Sequence, residues 1–197
     1  MKLNAEDGGH RKFIMVQLPE VTDEKSEAHK AGYANICEIG KERIRRAGKK
    51  VKEEAGLQGQ DLDIGFRVLK LDTSNMEDVY YTPDDLTELN LFNSIDNVKP
   101  DRTPLDLLFQ VLPELNIELS ARIEEKEIHG KKVFMVNGDQ LIATFDTDVN
   151  ESTITEIAKL RPVYFVMRDA SAENDNVLDN FEQIFKHYSP DTIRRVL

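Results

Sequence analysis

The stretch from Ile123 to Leu197 leaves few folds open. Glu124 to Ile128 and Lys131 to Val136 flank His129-Gly130, which reads as a hairpin with a tight turn. Asn137-Gly138 turns the chain again, into a strand over Gln140 to Phe145. A helix follows over Thr153 to Arg161, read with a capping box between Thr153 and Glu156, and then a strand over Val163 to Met167. The next helix shows Val177, Phe181, Ile184, Phe185 and Tyr188 on one face, and a last strand runs from Thr192 to Leu197. Strand, helix, strand, helix, strand implies parallel pairing through right-handed crossovers. Joined to the hairpin, it predicts a small α/β domain with a mixed sheet over residues 121–197.

Upstream the pattern is looser. Lys12 to Leu18 (KFIMVQL) is nearly continuously apolar, with β-branched Ile14 and Val16, and reads as a buried parallel strand ended by Pro19. Thr22 to Ala34 is a loop or short helix. Asn35 to Ala55 is the clearest helix: Ile36, Gly40, Ile44, Ala47 and Val51 form one stripe, and Glu42 and Arg46 pair on the outer face. Gly56 to Asp63 reads as a linker, and Gly65 to Leu71 as a strand with one wet face. Thr82-Pro83-Asp84-Asp85 and Thr103-Pro104-Leu105-Asp106 each place Thr at a cap, Pro at the first helical position and Asp in the first turn. The second of these helices carries Leu105, Leu108, Val111, Leu112 and Leu115, and Pro113 ends or kinks it.

At 197 residues the chain supports one or two domains with a real core. No window approaches 18 consecutive apolar residues, Leu3 to Lys12 lacks a signal-peptide pattern, and a single cysteine, Cys37, fits a reducing cytoplasm. The net charge of −11 argues that most of the surface faces away from phosphate, while a local basic face stays possible.

Gly8 to Glu54 (GGHRKFIMVQLPE…KKVKEE) resembles the region behind the cofactor loop in the modification subunits of type III restriction-modification systems. Weaker likeness extends over Asn97 to Arg102, Ile123 to Lys132 and Glu156 to Asp169, in the family's order. Leu3-Asn4-Ala5-Glu6-Asp7-Gly8-Gly9 resembles a segment that follows the family's cofactor loop. That makes Met1 look like an internal methionine of the preceding helix. The family's Asp-Pro-Pro-Tyr and Phe-x-Gly-x-Gly motifs do not occur: the sequence contains no Asp-Pro pair and no Gly-x-Gly. The resemblance therefore implies a C-terminal part of such a subunit. Residues 1–75 would be the tail of a Rossmann-like methyltransferase domain, 76–120 a helical connector and 121–197 the α/β domain.

Several residues are candidates for function. In a Rossmann-like site an acidic side chain ending the second strand holds the ribose hydroxyls, because a carboxylate accepts from both. Gln17 stands where the resemblance puts that carboxylate, and Glu20 lies three residues on. Without the glycine loop the plainer reading of both is loop polar groups. Lys41, Arg45 and Lys49 line one helix face and are the nucleic-acid candidates; the plainer reading is a solvated face balanced by Glu38, Glu42, Glu53 and Glu54. Pro100-Asp101 with Glu124-Glu125-Lys126 matches a loose metal-nuclease pattern in the wrong context. His10, His29, His129 and His187 are scattered, so no metal site is expected, and Cys37 reads as a buried structural thiol.

The whole subunit, by resemblance, transfers a methyl group from S-adenosylmethionine to adenine in DNA, flips the base out to reach it, dimerises and holds a restriction subunit. This chain is expected to carry no catalytic residue, to bind the cofactor at most weakly and to be inactive alone. The alternative is a non-catalytic assembly module for dimerisation or restriction-subunit contact.

Overall fold

Two runs of sequence that are apolar at successive positions form the centre of a sheet, because both of their faces are covered. In the computed structural model, which describes residues 1–77, 97–171 and 175–197, the chain divides into two units, Met1–Lys70 and Leu71–Leu197. The second unit holds a five-stranded sheet of order β1-β2-β3-β4-β5: β1 Ile123–Ile128, β2 Lys131–Val136, β3 Leu141–Thr144, β4 Tyr164–Met167 and β5 Ile193–Val196. The β1–β2 and β2–β3 pairs are antiparallel, and β3–β4 and β4–β5 are parallel, the mixed sheet that the sequence predicts. His129 and Gly130 (φ 50° and 77°), like Asn137 and Gly138 (φ 49° and 76°), take the left-handed conformations that tight hairpin turns demand.

Helices cover both faces. They are numbered here with those of the first unit: α1 Lys2–Asp7, α2 Glu27–Lys30, α3 Ile36–Glu54, α4 Pro104–Glu114, α5 Glu151–Lys159 and α6 Asp175–Tyr188. Leu107, Leu108, Val111 and Leu112 of α4 pack with Phe134, Val136, Leu141, Ala143 and Val166 on one face. On the other, Ile154, Ile157 and Ala158 of α5 and Phe181 and Phe185 of α6 pack with Val133, Met135, Ile142, Phe165 and Met167. Alternate residues of β2 and β3 thus enter two different cores, which is why their sequences do not alternate. Burying each large side chain here contributes roughly 1.5–3 kcal/mol.

Helix ends follow local chemistry. Thr103 caps α4 with the full reciprocal box to Asp106, and Pro113 lies in the last turn, where the helix runs one residue further. Leu105 is exposed and Leu107 takes its place in the core. The capping box read at Thr153 is corrected: Asn150 is the cap, its side chain accepting from Thr153 N at 2.9 Å, and Thr153 is buried in the first turn. Upstream, a Met76–Val98 bridge and Asn75 Nδ2 donating to Gln110 Oε1 at 2.7 Å tie residues 71–77 to α4 and the chain before it. The helix start at Thr82-Pro83-Asp84-Asp85 lies outside the described residues, as does the side chain of Val177.

The first unit differs in kind. Its long helix, α3, is capped by Asn35, which accepts from Glu38 N at 3.1 Å. The packed face is rotated from the one read off the sequence: Gly48 is buried, whereas Ala47 and Ile36 are exposed. A methyl group on Gly48 would sit 3.0 Å from Ile64 Cβ, so Ile64 would have to give way by a few tenths of an ångström to admit one. Gly56–Gly59 is a 3-10 turn rather than a linker. Asp7 Oδ2 meets Arg11 Nη2 at 2.7 Å, and that hydrogen bond leads in holding the Asp7 carboxyl down to about 2.

Two expected strands do not form. Residues 12–18 carry no regular secondary structure, with Ile14 and Val16 93% and 94% exposed. The chain just beyond them is held instead by Ile36 N donating to Glu20 O and by a Val21–Asn35 bridge. Gly65 to Leu71 likewise forms no strand, and Val68, Leu69 and Leu71 are exposed. A strand exists only where a neighbour takes its N–H and C=O groups. Among the described residues of this unit none supplies one, and no hydrophobic side chain of the unit is buried. The Rossmann-like segment is therefore not seen as a sheet. What stands is a mixed α/β fold whose sheet lies wholly in the second unit.

Candidate functional site

Gln17 and Glu20 sit in the irregular run between α1 and α2, not at a strand end. The Gln17 side chain is turned along its own chain, Nε2 donating to Leu18 O at 3.2 Å, and the backbone carbonyl of Gln17 accepts from Cys37 Sγ at 3.5 Å. Glu20 is exposed, with its backbone engaged by Leu18 O and Ile36 N, both at 2.9 Å. As a cradle for the ribose of S-adenosylmethionine these residues do not fit: no strand presents Gln17, its amide is engaged, and no Gly-x-Gly loop exists to approach a ligand. Cys37 is half-buried, not the enclosed thiol expected.

The basic face of α3 is intact but compensated. Lys41 pairs with Glu38 and keeps only 21% of its side chain exposed. Arg45 Nη1 lies 3.8 Å from Glu42 Oε2, and its guanidinium stands 5.6 Å from the centre of the Phe66 ring, a cation–π contact within the first unit. Lys49 Nζ is 3.9 Å from Glu53 Oε1, with 79% of its side chain exposed. Arg46 pairs with Glu42 and Lys50 with Glu54. One helical turn separates each cation from its carboxylate, so the sequence spacing itself builds these pairs. Exposed pairs of this kind add little stability, but they lower the net field a phosphate would meet.

The nuclease-like residues are not brought together. Asp101 accepts from Arg102 Nη1 at 3.2 Å, Glu124 pairs with Arg122 at 3.0 Å and Glu125 with Lys132 at 3.2 Å. Glu124 and Glu125 are neighbours on one strand and so point to opposite faces of the sheet. Among the described residues no group of three or more His, Cys, Asp or Glu is placed to hold a metal ion.

The sequence reading passed over two features. Arg102 is mostly enclosed, and its Nη1 lies 3.4 Å from Asp72, with Thr73 Oγ1 receiving Lys99 Nζ at 3.0 Å and Arg102 Nη2 at 3.3 Å. This cluster anchors residues 71–77 ahead of α4, and nothing in the spacing of 72 and 102 announces it. The second feature was legible. Arg194 and Arg195 are consecutive in a strand, which is sustainable only if both faces of that strand are wet.

No family model matches the chain. It is 35% identical over 91 residues to the Mod subunit of the type III restriction-modification enzyme StyLTI of Salmonella typhimurium, a match covering 46% of this chain and 13% of that subunit. It is 39% identical over 88 residues to the Mod subunit of the type III enzyme EcoP15I of Escherichia coli, covering 42% of this chain and 14% of that subunit. The matched stretch thus spans a small share of the length of either relative. Over nearly half of its residues, then, this chain is similar to the Mod subunits of type III restriction-modification enzymes, the family that its motifs resemble.

Proposed function

We propose that this chain is a C-terminal part of a type III modification subunit and serves there as an assembly module rather than a catalyst. The whole subunit would methylate adenine in DNA from S-adenosylmethionine, with groups that this sequence does not contain. The contrast between the two units carries the reading. The second closes two cores around its sheet, with Leu108, Ile142 and Ile157 fully enclosed, and stands by itself. The first buries no hydrophobic side chain and exposes Ile14, Met15, Val16 and Leu18 in a row. A run apolar on both faces is what an inner strand looks like before its neighbours are in place. On this reading the first unit docks against the rest of a methyltransferase domain, and the acidic second unit contacts other subunits. DNA is then a partner of the whole subunit, and Lys41, Arg45 and Lys49 are at most auxiliary to it.

The test is co-expression of the tagged chain with the restriction subunit of its own system. Capture of that subunit at moderate salt supports the assembly role, and its absence under all salt conditions removes it. In parallel, the purified chain with labelled S-adenosylmethionine and duplex DNA should transfer no methyl group, and any turnover overturns the non-catalytic reading.

A further inference from the structure

We propose that β5 of one copy of this chain pairs, parallel and in register, with β1 of a second copy, so that the sheet continues from chain to chain. The inference is independent of the subunit reading. β1 and β5 are the two edges of the sheet, and the outer edge of each has no ladder partner among the described residues. All four residues of β5 are exposed, including apolar Ile193 and Val196 at 49% and 51%. An edge of this kind is a template for another strand.

Which strand it takes follows from the registers. Arg195 aligns with Val166 and Ile193 with Tyr164, so both point to the α4 face; Arg194 and Val196 align with Phe165 and Met167 and point to the α5–α6 face. On β1, Ile123 and Glu125 lie opposite Val136 and Phe134 on the α4 face, and Glu124 and Lys126 opposite Met135 and Val133 on the other. Strands β1 and β5 run in the same direction, since two antiparallel and two parallel pairings separate them. Sliding a second copy along the sheet therefore sets Ile123-Glu124-Glu125-Lys126 beside Ile193-Arg194-Arg195-Val196 with faces preserved. Ile meets Ile, and each Arg meets a Glu on its own face. Arg195 makes no ion pair among the described residues, while Arg194 has Glu182 at 3.8 Å and would share it.

Like edges do not fit each other. A two-fold β5–β5 pairing that keeps the faces matched sets either Arg194 or Arg195 opposite itself. The corresponding β1–β1 pairing sets Glu125 opposite itself between two Glu124–Lys126 pairs, or Glu125 opposite Glu127 with Lys126 facing its copy. Like charges directly opposite are destabilising, and β5 has no acidic residue to offset its two arginines, so β5 selects the unlike edge. A contact between unlike edges leaves one edge of each kind free after every addition, so assembly does not stop at two copies and copies add in series.

Sedimentation velocity of the full chain over a range of concentrations tests this. A series of oligomers that lengthens with concentration and shortens with salt is expected. Reversing β5 (Arg194→Glu with Arg195→Glu) or β1 (Glu124→Arg with Glu125→Arg) should weaken association by about tenfold or more, each changing two cross-strand pairs from attraction to repulsion. Mixing the two reversed variants should restore the series with the two alternating, since β5 of each then meets a complementary β1 of the other, and the variant with both edges reversed should recover the series as well. A single species at every concentration overturns the proposal, as does failure of the doubly reversed chain to recover. So does association that survives both reversals but is lost in Ile14→Glu with Val16→Glu, which would assign it to the exposed apolar run instead.

Discussion

Thr103 and Asp106 hold each other at the start of α4: Thr103 Oγ1 accepts from Asp106 N at 3.3 Å, and Asp106 Oδ2 accepts from Thr103 N at 2.7 Å. The same carboxylate also receives the Thr103 hydroxyl, at 2.7 Å. The helix so fixed supplies four core residues to one face of the sheet. Thr103→Ala should cost the second unit ~1 kcal/mol in urea unfolding, and Thr103→Ser should recover most of it.

Acid should loosen the same joint. The hydrogen bonds from Thr103, led by its hydroxyl, hold the Asp106 carboxyl below its ordinary range. A carboxyl whose folded pKa is depressed adds stability that is complete above its unfolded value and lost as the pH falls through the folded one. Unfolding midpoints followed downward from neutral pH should therefore drop further in the parent chain than in Asp106→Asn, which has no charge to lose. Equal slopes would show that the cap does not titrate with folding.

Phe165 and Phe185 stack with centroids 4.9 Å apart, both almost wholly enclosed, where β4 meets α6. Phe185→Ala removes a ring from a site that cannot collapse without moving the sheet, and should cost about 3–5 kcal/mol. Phe185→Leu should cost less than half of that. A chemical-denaturation series on the three proteins checks the order.

Two glycines of the first unit should answer the same substitution with opposite signs. Gly40 lies inside α3 with nothing within 4 Å of a built Cβ, so Gly40→Ala should raise helix stability by about 0.5–1 kcal/mol. At Gly59 a Cβ would lie 2.6 Å from Lys52 O, a backbone atom that can yield only if α3 shifts, so Gly59→Ala should loosen the turn. Helical circular dichroism on warming distinguishes the pair.

How much of this was legible in the sequence divides at the two units. From Thr103 onward, turn glycines, caps and apolar runs agree with one another, and the α4 cap, both hairpin turns, the parallel pairings and the final strand stand where the sequence puts them. The slips there are local. Asn150 rather than Thr153 is the cap because the helix begins earlier, at Glu151: Asn150 is extended and accepts from Thr153 N, which leaves Thr153 inside the first turn and buried. Before residue 70 the long helix stands where the sequence puts it, Ile36–Glu54 between Asn35 and Ala55, but the strand patterns do not form strands. Lys12 to Leu18 has the composition of an inner strand, but composition does not supply the neighbouring strand that makes one. Gly48 shows how the α3 face was misjudged: periodicity ranks Ala above Gly as a packing residue, yet here close approach is what packs. Gln17 and Glu20 were named through the resemblance, not through any geometry, and their side chains meet nothing that spacing could have foretold. The helix cations, by contrast, carry their acidic partners in the sequence one turn away.

In this sheet, position in space repeats position along the chain: every strand lies beside the one made just before it. No pairing has to wait for a distant segment, so the entropy of closing each loop is met in small steps. A ribosome delivering this polypeptide would release the strands in the order in which they are needed. Pulse-labelled hydrogen exchange during refolding should then protect the amides of β2 and β3 before those of β5. Simultaneous protection across all five strands would mean that the helices, not the order of the strands, set the pace.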